Sequence, residues 1–268
     1  MSRNSPLALW RRFLALPNDS RTKTLGVAFL VSLVAAIAVS TTSVALKPRQ
    51  EAQVQAAREA NLAEMVATLP GLAEVMRETG AESLETVVVA LETGQIDPTL
   101  DAATYDFLNA QSDPTLSQPL AAFEDTAKIG QRPNFAPVYI LRGTQGLALV
   151  VLPVYGTGYQ STIRAYLALH GDLTTIAALS IYEQGETPGL GTRITDPSWQ
   201  ALWSGKQATD DAGEVTITVV RGTANTATEV DGITGATRST TGVTNLVQFW
   251  LGDLGYGTFL EALKAEEF

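Results

Sequence analysis

Residues 231–252, DGITGATRSTTGVTNLVQFWLG, decide the fold. In the second half, Val243, Leu246, Val247, Trp250 and Leu251 recur at i, i+3, i+4, i+7 and i+8. That spacing predicts an amphipathic helix with one face to bury. Ser239, Thr240 or Thr241 is expected to cap its start. The first half, Asp231-Gly232-Ile233-Thr234-Gly235-Ala236-Thr237, is a loop of small residues that delivers a hydroxyl just ahead of the helix N-terminus. Free amides and the positive end of the helix dipole suit a phosphate there. A hydroxyl beside an anion site is a candidate for a phosphoester. The same residues also suit an ordinary turn and cap, and both readings stand at this level.

Strand-like runs precede this stretch. Residues 138–142 and 147–155 flank Gly143-Thr144-Gln145-Gly146 and read as a hairpin. Gly156-Thr157-Gly158 reads as a flexible loop. Residues 166–169, 175–182 and 214–220 read as further strands. Thr195-Asp196-Pro197 reads as a helix start, with Trp199 and Trp203 on one face as core. Phe259, Leu260 and Leu263 suggest a short closing helix. Upstream, 87–91 reads as a strand ended by Gly94, and 95–134 as loops and short helices. Strands and helices do not alternate regularly, so the fold class is α+β.

A second glycine-rich segment, Gly185-Glu186-Thr187-Pro188-Gly189-Leu190-Gly191, follows a strand. Glycines such as Gly191 let backbone approach a flat ligand, and Pro188 stiffens the loop. Glu186 and Thr187 suit hydrogen bonds to a ring edge or sugar chain, and Leu190 suits packing on a ring face. A plain glycine-rich turn is the simpler alternative.

At the other end, Leu25 to Leu46 is 22 residues without a charge. As a helix it spans roughly 33 Å, enough for a bilayer core of about 30 Å. Arg3, Arg11, Arg12, Arg21 and Lys23 precede it, and Lys47 and Arg49 follow. The positive-inside tendency places residues 1–24 in the cytoplasm and the remainder across the membrane. A basic front and the Ala36-Ile37-Ala38 triplet also permit a cleaved signal. The run is longer than a signal core, however, and leads into helix-favouring sequence at 51–69, so an uncleaved anchor is expected. A short helix at 72–79, closed by Gly80, is expected next.

Composition narrows the chemistry. The 268 residues contain no cysteine, which excludes thiolate metal sites, protein-held iron–sulfur clusters and disulfides. His170 is the single histidine, so a multi-histidine metal site is excluded. Redox chemistry would have to come from an organic cofactor. The net charge is −10, and with seven of the 18 basic residues before residue 50 the rest of the chain is more acidic still, which argues against a nucleic-acid partner.

The spelling Asp-x-x-Thr-Gly-Ala-Thr resembles the flavinylation motif modified by bacterial FMN transferases. The resemblance implies FMN esterified through its phosphate to Thr237, with Asp231, Thr234, Gly235 and Ala236 as recognition elements. The 185–191 segment resembles the ETPGLG loop that lines the flavin in membrane redox complexes, which implies contacts from Glu186, Thr187, Leu190 and Gly191. Asn18-Asp19-Ser20, Leu46-Lys47-Pro48, Val138-Tyr139, Leu152-Pro153-Val154-Tyr155-Gly156, Tyr166-Leu167-Ala168-Leu169, Trp203-Ser204-Gly205-Lys206 and Phe249-Trp250-Leu251-Gly252-Asp253 extend it. In that order they resemble the covalent-FMN (C) subunit of the bacterial sodium-translocating NADH:quinone oxidoreductase. His170 departs from the acid expected before Gly171-Asp172 and is given no role.

The resemblance implies a periplasmic FMN-binding domain behind one transmembrane helix in the inner membrane. The expected division is 1–24 cytoplasmic, 25–46 membrane helix, 47–134 periplasmic mixed region and 135–268 FMN-binding domain. Five other subunits, an FMN transferase during maturation and lipid are the implied partners. The implied role is relay of electrons from an iron–sulfur centre to a second flavin, with no catalytic residue and no metal site on this chain. The equivalent subunit of an Rnf-type ferredoxin:NAD oxidoreductase shares both motifs. A membrane-anchored flavin scaffold without electron transfer, or a cleaved soluble flavin reductase, are the readings of another class.

Overall fold

The computed structural model describes residues 85–265 except 103 and 145, residues 20–37, and residues 10, 15, 17, 40, 76 and 77. The chain divides into two compact units, Met1–Ala56 and Ala57–Phe268. In the first, residues 21–37 form helix α1. It includes the start of the expected span. Residues 38–39 and 41–46 of that span lie outside the described residues, as do 51–69 and most of 72–79. Among the described residues no helix is long and apolar enough to cross a membrane.

The second unit is built as β1 (Glu85–Ala90), α2 (Phe107–Ala110), β2 (Ser117–Pro119), β3 (Gln131–Pro133), β4 (Phe135–Gly143), β5 (Gly146–Thr157), β6 (Thr162–His170) and β7 (Ile176–Glu183). It continues with α3 (Pro197–Gln200), β8 (Thr218–Val219), β9 (Glu229–Val230), α4 (Thr237–Leu251) and α5 (Gly257–Lys264). Two 3-10 turns, Gly191–Thr195 and Ala201–Trp203, flank α3. The main sheet is antiparallel in the order β1-β4-β5-β6-β7. The mixed α+β character expected from the sequence is therefore present.

The expected boundary at 134/135 does not divide the structure. β1 pairs with β4 from Glu85↔Ile140 to Ala90↔Phe135. Val89, Leu91, Phe107 and Ala127 share one core with residues of β4 to β7. A strand cannot satisfy its backbone alone, and the edge of β4 supplies the partner. Gly156-Thr157 is likewise no loop. It completes β5 opposite Ile163 and Thr162, and Thr157 is tied to Ala127 and Lys128 by hydrogen bonds of 2.8 and 2.7 Å. The expected strand 214–220 contracts to Thr218–Val219, because Thr216 and Ile217 turn their amides to the Ala208 carbonyl instead.

α4 lies across the sheet, its Val243, Leu246, Val247 and Trp250 fully buried against β5 and β6. Trp250 is the pin. Its indole N–H donates to the Tyr155 carbonyl at 2.7 Å. Its ring lies 5.0 Å from Tyr155 and 5.4 Å from Tyr256. The Tyr256 hydroxyl in turn donates to the Pro153 carbonyl at 2.9 Å. Burial of Tyr256 pushes its pKa well above the ordinary value, so it stays a neutral donor. The opposite sheet face buries Leu141, Leu149, Val151 and Ala168, with Met76 packed on it. Trp199 and Trp203 are core residues as expected, in edge-to-face contact at 5.9 Å.

Trp250→Ala is expected to lower the unfolding free energy by about 3–5 kcal/mol. Trp250→Phe, which mainly orphans the Tyr155 carbonyl, should cost about 1–3 kcal/mol. Urea denaturation measures both. An alanine variant within about 0.5 kcal/mol of the parent would remove Trp250 from this role.

Candidate functional site

β9 pairs in parallel with β8 and releases the chain at Asp231. Asp231 is held on both sides. Its carboxylate accepts from the Ala224 amide at 2.7 Å, and its carbonyl accepts from the Trp199 indole at 2.8 Å. Ile233 and Ala236 are buried, which fixes the inner side of the loop. Thr234, Gly235 and Thr237 face outward. Gly235 has φ +85°, a left-handed conformation that favours glycine. A Cβ there would stand 3.0 Å from the Leu190 side chain.

The turn changes where the helix starts. The Ala236 amide donates to Ile233 at 3.0 Å, and α4 begins at Thr237. The expected caps Ser239, Thr240 and Thr241 therefore sit inside the first turn. Thr240 and Thr241 donate back to carbonyls of Ala236 and Thr237, the pattern typical of helical hydroxyls. The first i→i−4 bond is Thr240 to Ala236, so the amides of residues 237–239 precede the helical ladder. Thr237 itself is exposed, and among the described residues its hydroxyl makes no hydrogen bond.

The 185–191 segment meets this turn. Gly191 is buried, and a Cβ on it would fall 2.6 Å from Ser239 Oγ. Only glycine leaves room there for the Ser239 and Glu186 side chains to meet. Leu190, 47% exposed, lies beside Gly235 with its side chain open to solvent. Thr187 is half-buried, and its carbonyl accepts from the Leu190 and Thr192 amides, so it shapes the loop.

Glu186 differs from expectation. It is 3% exposed and faces inward. Its oxygens accept from the amides of Tyr159 (3.1 Å), Gln160 (3.0 Å) and Ser161 (3.2 Å). They accept further from the hydroxyls of Ser161 (3.1 Å) and Ser239 (2.5 Å). A buried carboxylate without a cation needs such donors, and they leave none of it turned toward a ring edge or sugar. Burial pushes its pKa up. The bonds from Ser239, Gln160, Tyr159 and Ser161 outweigh that and hold it below 4.5. Glu186 thus joins the 158–161 turn, the 185–191 loop and the first turn of α4.

Sequence reasoning missed Tyr159, Ser161, Ser239 and Arg238. Of the 158–161 turn the sequence marks only Gly158, as the end of the expected loop 156–158, and it marks Ser239 as a cap. The Arg238 guanidinium lies over the Tyr159 ring, 4.9 Å from its centroid. The signal for it was an arginine in a helix first turn that contains no acid. Among the described residues no group of three or more His, Asp or Glu is placed to hold a metal. The groups that are present suit a phosphate and a flat ring: helix amides ahead of the ladder and an exposed hydroxyl as donors, with an open leucine and a glycine surface as apolar contacts.

The FMN-binding domain family model matches residues 158–252, which span the 158–161 turn, the glycine-rich loop and α4. The C subunit of the Na(+)-translocating NADH-quinone reductase of Vibrio vulnificus (strain YJ016) is 39% identical over 250 residues, covering 92% of this chain and 97% of that protein. The chain belongs to this family of C subunits. The Pseudomonas aeruginosa member is 38% identical over 256 residues, covering 93% of this chain and 98% of its own length. The crystal structure of Shewanella oneidensis NqrC superposes with a TM-score of 0.65 at 38% identity, over 70% of this chain and 88% of that one. The C subunit from Parabacteroides distasonis gives 0.51 at 26% identity, over 66% and 77%. Near end-to-end likeness places the chain in the quinone-reductase family rather than leaving it with the Rnf alternative.

Because the folded pKa of Glu186 lies below 4.5, its contribution to stability is complete above that value and is lost as pH falls through the folded pKa. Glu186→Gln turns an amide donor toward backbone donors and should cost about 1–3 kcal/mol at neutral pH. It should also flatten the acid-side slope of stability. A variant that keeps the parental slope below 4.5 would show that another group carries it.

Proposed function

We propose that Thr237 carries FMN through a phosphoester and that the chain is the covalent-flavin relay of a sodium-pumping NADH-quinone reductase. The observation that carries this is the exposed Thr237 hydroxyl at the first position of α4, with Leu190 beside Gly235 on the approach to it. The amides of 237–239 would hold the phosphate, as helix N-termini do. Leu190 and the 189–191 backbone offer an apolar face to a ring. Asp231, Thr234, Gly235 and Ala236 set the shape that a modifying FMN transferase would read. Asp231 does so through its anchors to Ala224 and Trp199. Gly191 and Glu186 act at one remove, by closing the loop onto α4.

The chemistry FMN supplies here is electron transfer, in a relay from an iron–sulfur centre to a second flavin on a neighbouring subunit. The protein fixes position and surroundings, and Thr237 is a tether rather than a catalytic residue. A covalent tether keeps the cofactor from leaving. Residues 25–46 anchor the chain in the bacterial inner membrane, with residues 1–24 cytoplasmic and the flavin domain periplasmic, in contact with lipid and five other subunits. The 22 uncharged residues and the basic segment before them support that topology.

Full-length protein co-expressed with an FMN transferase should gain one FMN phosphoryl group by intact mass, and Thr237→Ala should not. Unchanged mass in the parent would remove the tether. The assembled complex with Thr237→Ala should lose NADH-driven quinone reduction. Normal turnover would favour a flavin scaffold without electron transfer.

A further inference from the structure

Arg238 follows Thr237 directly and occupies the second position of α4. A cation there stands against the positive end of the helix dipole, an unfavourable place unless an anion is nearby. The first turn holds no acid. Among the described residues no carboxylate lies within ion-pairing distance of Arg238, although the chain carries a net charge of −10. The Arg238 guanidinium rests on the Tyr159 ring, 4.9 Å from the centroid. The Tyr159 amide is bound in turn by Glu186 at 3.1 Å. The same buried carboxylate that holds Ser239 in the first turn therefore fixes the backbone from which the Tyr159 ring projects.

We propose that Arg238, held on Tyr159, is a positioning residue for the phosphate of the flavin on Thr237, supplying the counter-charge to a phosphodiester monoanion. This rests on the attachment at Thr237 proposed above. A guanidinium matches phosphate oxygens in a two-pronged fashion and stacks on aromatic rings at the same time. Successive side chains of a helix diverge by about 100°, so it is the length of the arginine side chain that lets it turn back to an anion bonded to Thr237. Tyr159 restricts the arginine in advance and lowers the entropy lost on contact. The unfavourable arginine at the helix start then becomes part of an anion site completed by modification.

The test compares full-length protein made with and without the FMN transferase, with loading read by intact mass. The readouts are the rise in thermal midpoint on flavinylation and the 31P chemical shift of the phosphodiester. At about 10 mM salt, where the Debye length is about 30 Å, the parent should show a rise that shrinks at about 1 M salt. Arg238→Gln should roughly halve that rise, since charge-assisted bonds are about twice as strong as neutral ones. It should also move the 31P resonance, while Arg238→Lys keeps most of both. Tyr159→Leu should lie between. If Arg238→Gln is not loaded at all but Arg238→Lys is, and the loaded Arg238→Lys protein shows neither the salt-dependent rise nor the parental 31P shift, the charge serves attachment alone, which overturns the assignment. A loaded Arg238→Gln protein with the parental rise and 31P shift would overturn it, leaving the tether intact. A parent without flavin by mass would overturn both.

Discussion

A carboxylate taken out of water must be answered by donors, and in this protein that demand organises the functional end of the fold. Glu186 gathers three backbone amides and two hydroxyls from segments 25 to 53 residues away in sequence. None of those segments has a compelling conformation alone. The 158–161 turn is four residues long, the 185–191 loop is rich in glycine, and the first turn of α4 lacks a side-chain cap. The carboxylate converts them into one rigid corner. Removing it would leave donors unmatched both in the 159–161 turn and at Ser239, the situation in which polar networks fail cooperatively.

That corner stands on a packed base. α4 is fixed along its length by Val243, Leu246, Val247 and Trp250, and at its far end by the hydrogen bond of Trp250 to Tyr155. Tyr256 adds a second polar tie to β5. The helix start is therefore precise because the rest of the helix cannot slide. Thr237 stands on the rigid part of the fold, which suits an attachment point: a tethered cofactor is only as well placed as its anchor.

Much of this was legible from local pattern. The five-residue apolar periodicity of 243–251 gave α4, and the apolar run of 147–155 gave most of β5. The spacing of Trp199 and Trp203 gave their burial. The junction of a small-residue loop and a helix placed Thr237 at an open position. What was hidden depended on long-range partners. Glu186 in a glycine-rich loop looks like a ligand contact, and only the fold shows that its donors come from residues 159–161 and 239. The helix start moved because Gly235 adopts φ +85° and lets the turn feed directly into α4. β1 joined the sheet through a partner some fifty residues away, at a distance that no local pattern encodes.

The central claim is that this corner presents one particular hydroxyl. The segment from Gly222 to Arg238 contains five threonines, at 223, 226, 228, 234 and 237. Both Thr234 and Thr237 are exposed in the same turn, so position along the chain alone does not choose between them. Fragmentation mass spectrometry of the tryptic peptide beginning at Gly222, from protein made with the FMN transferase, resolves them. The account predicts the flavin phosphate on Thr237 alone, and modification of Thr234, or of several threonines in the peptide, would contradict it.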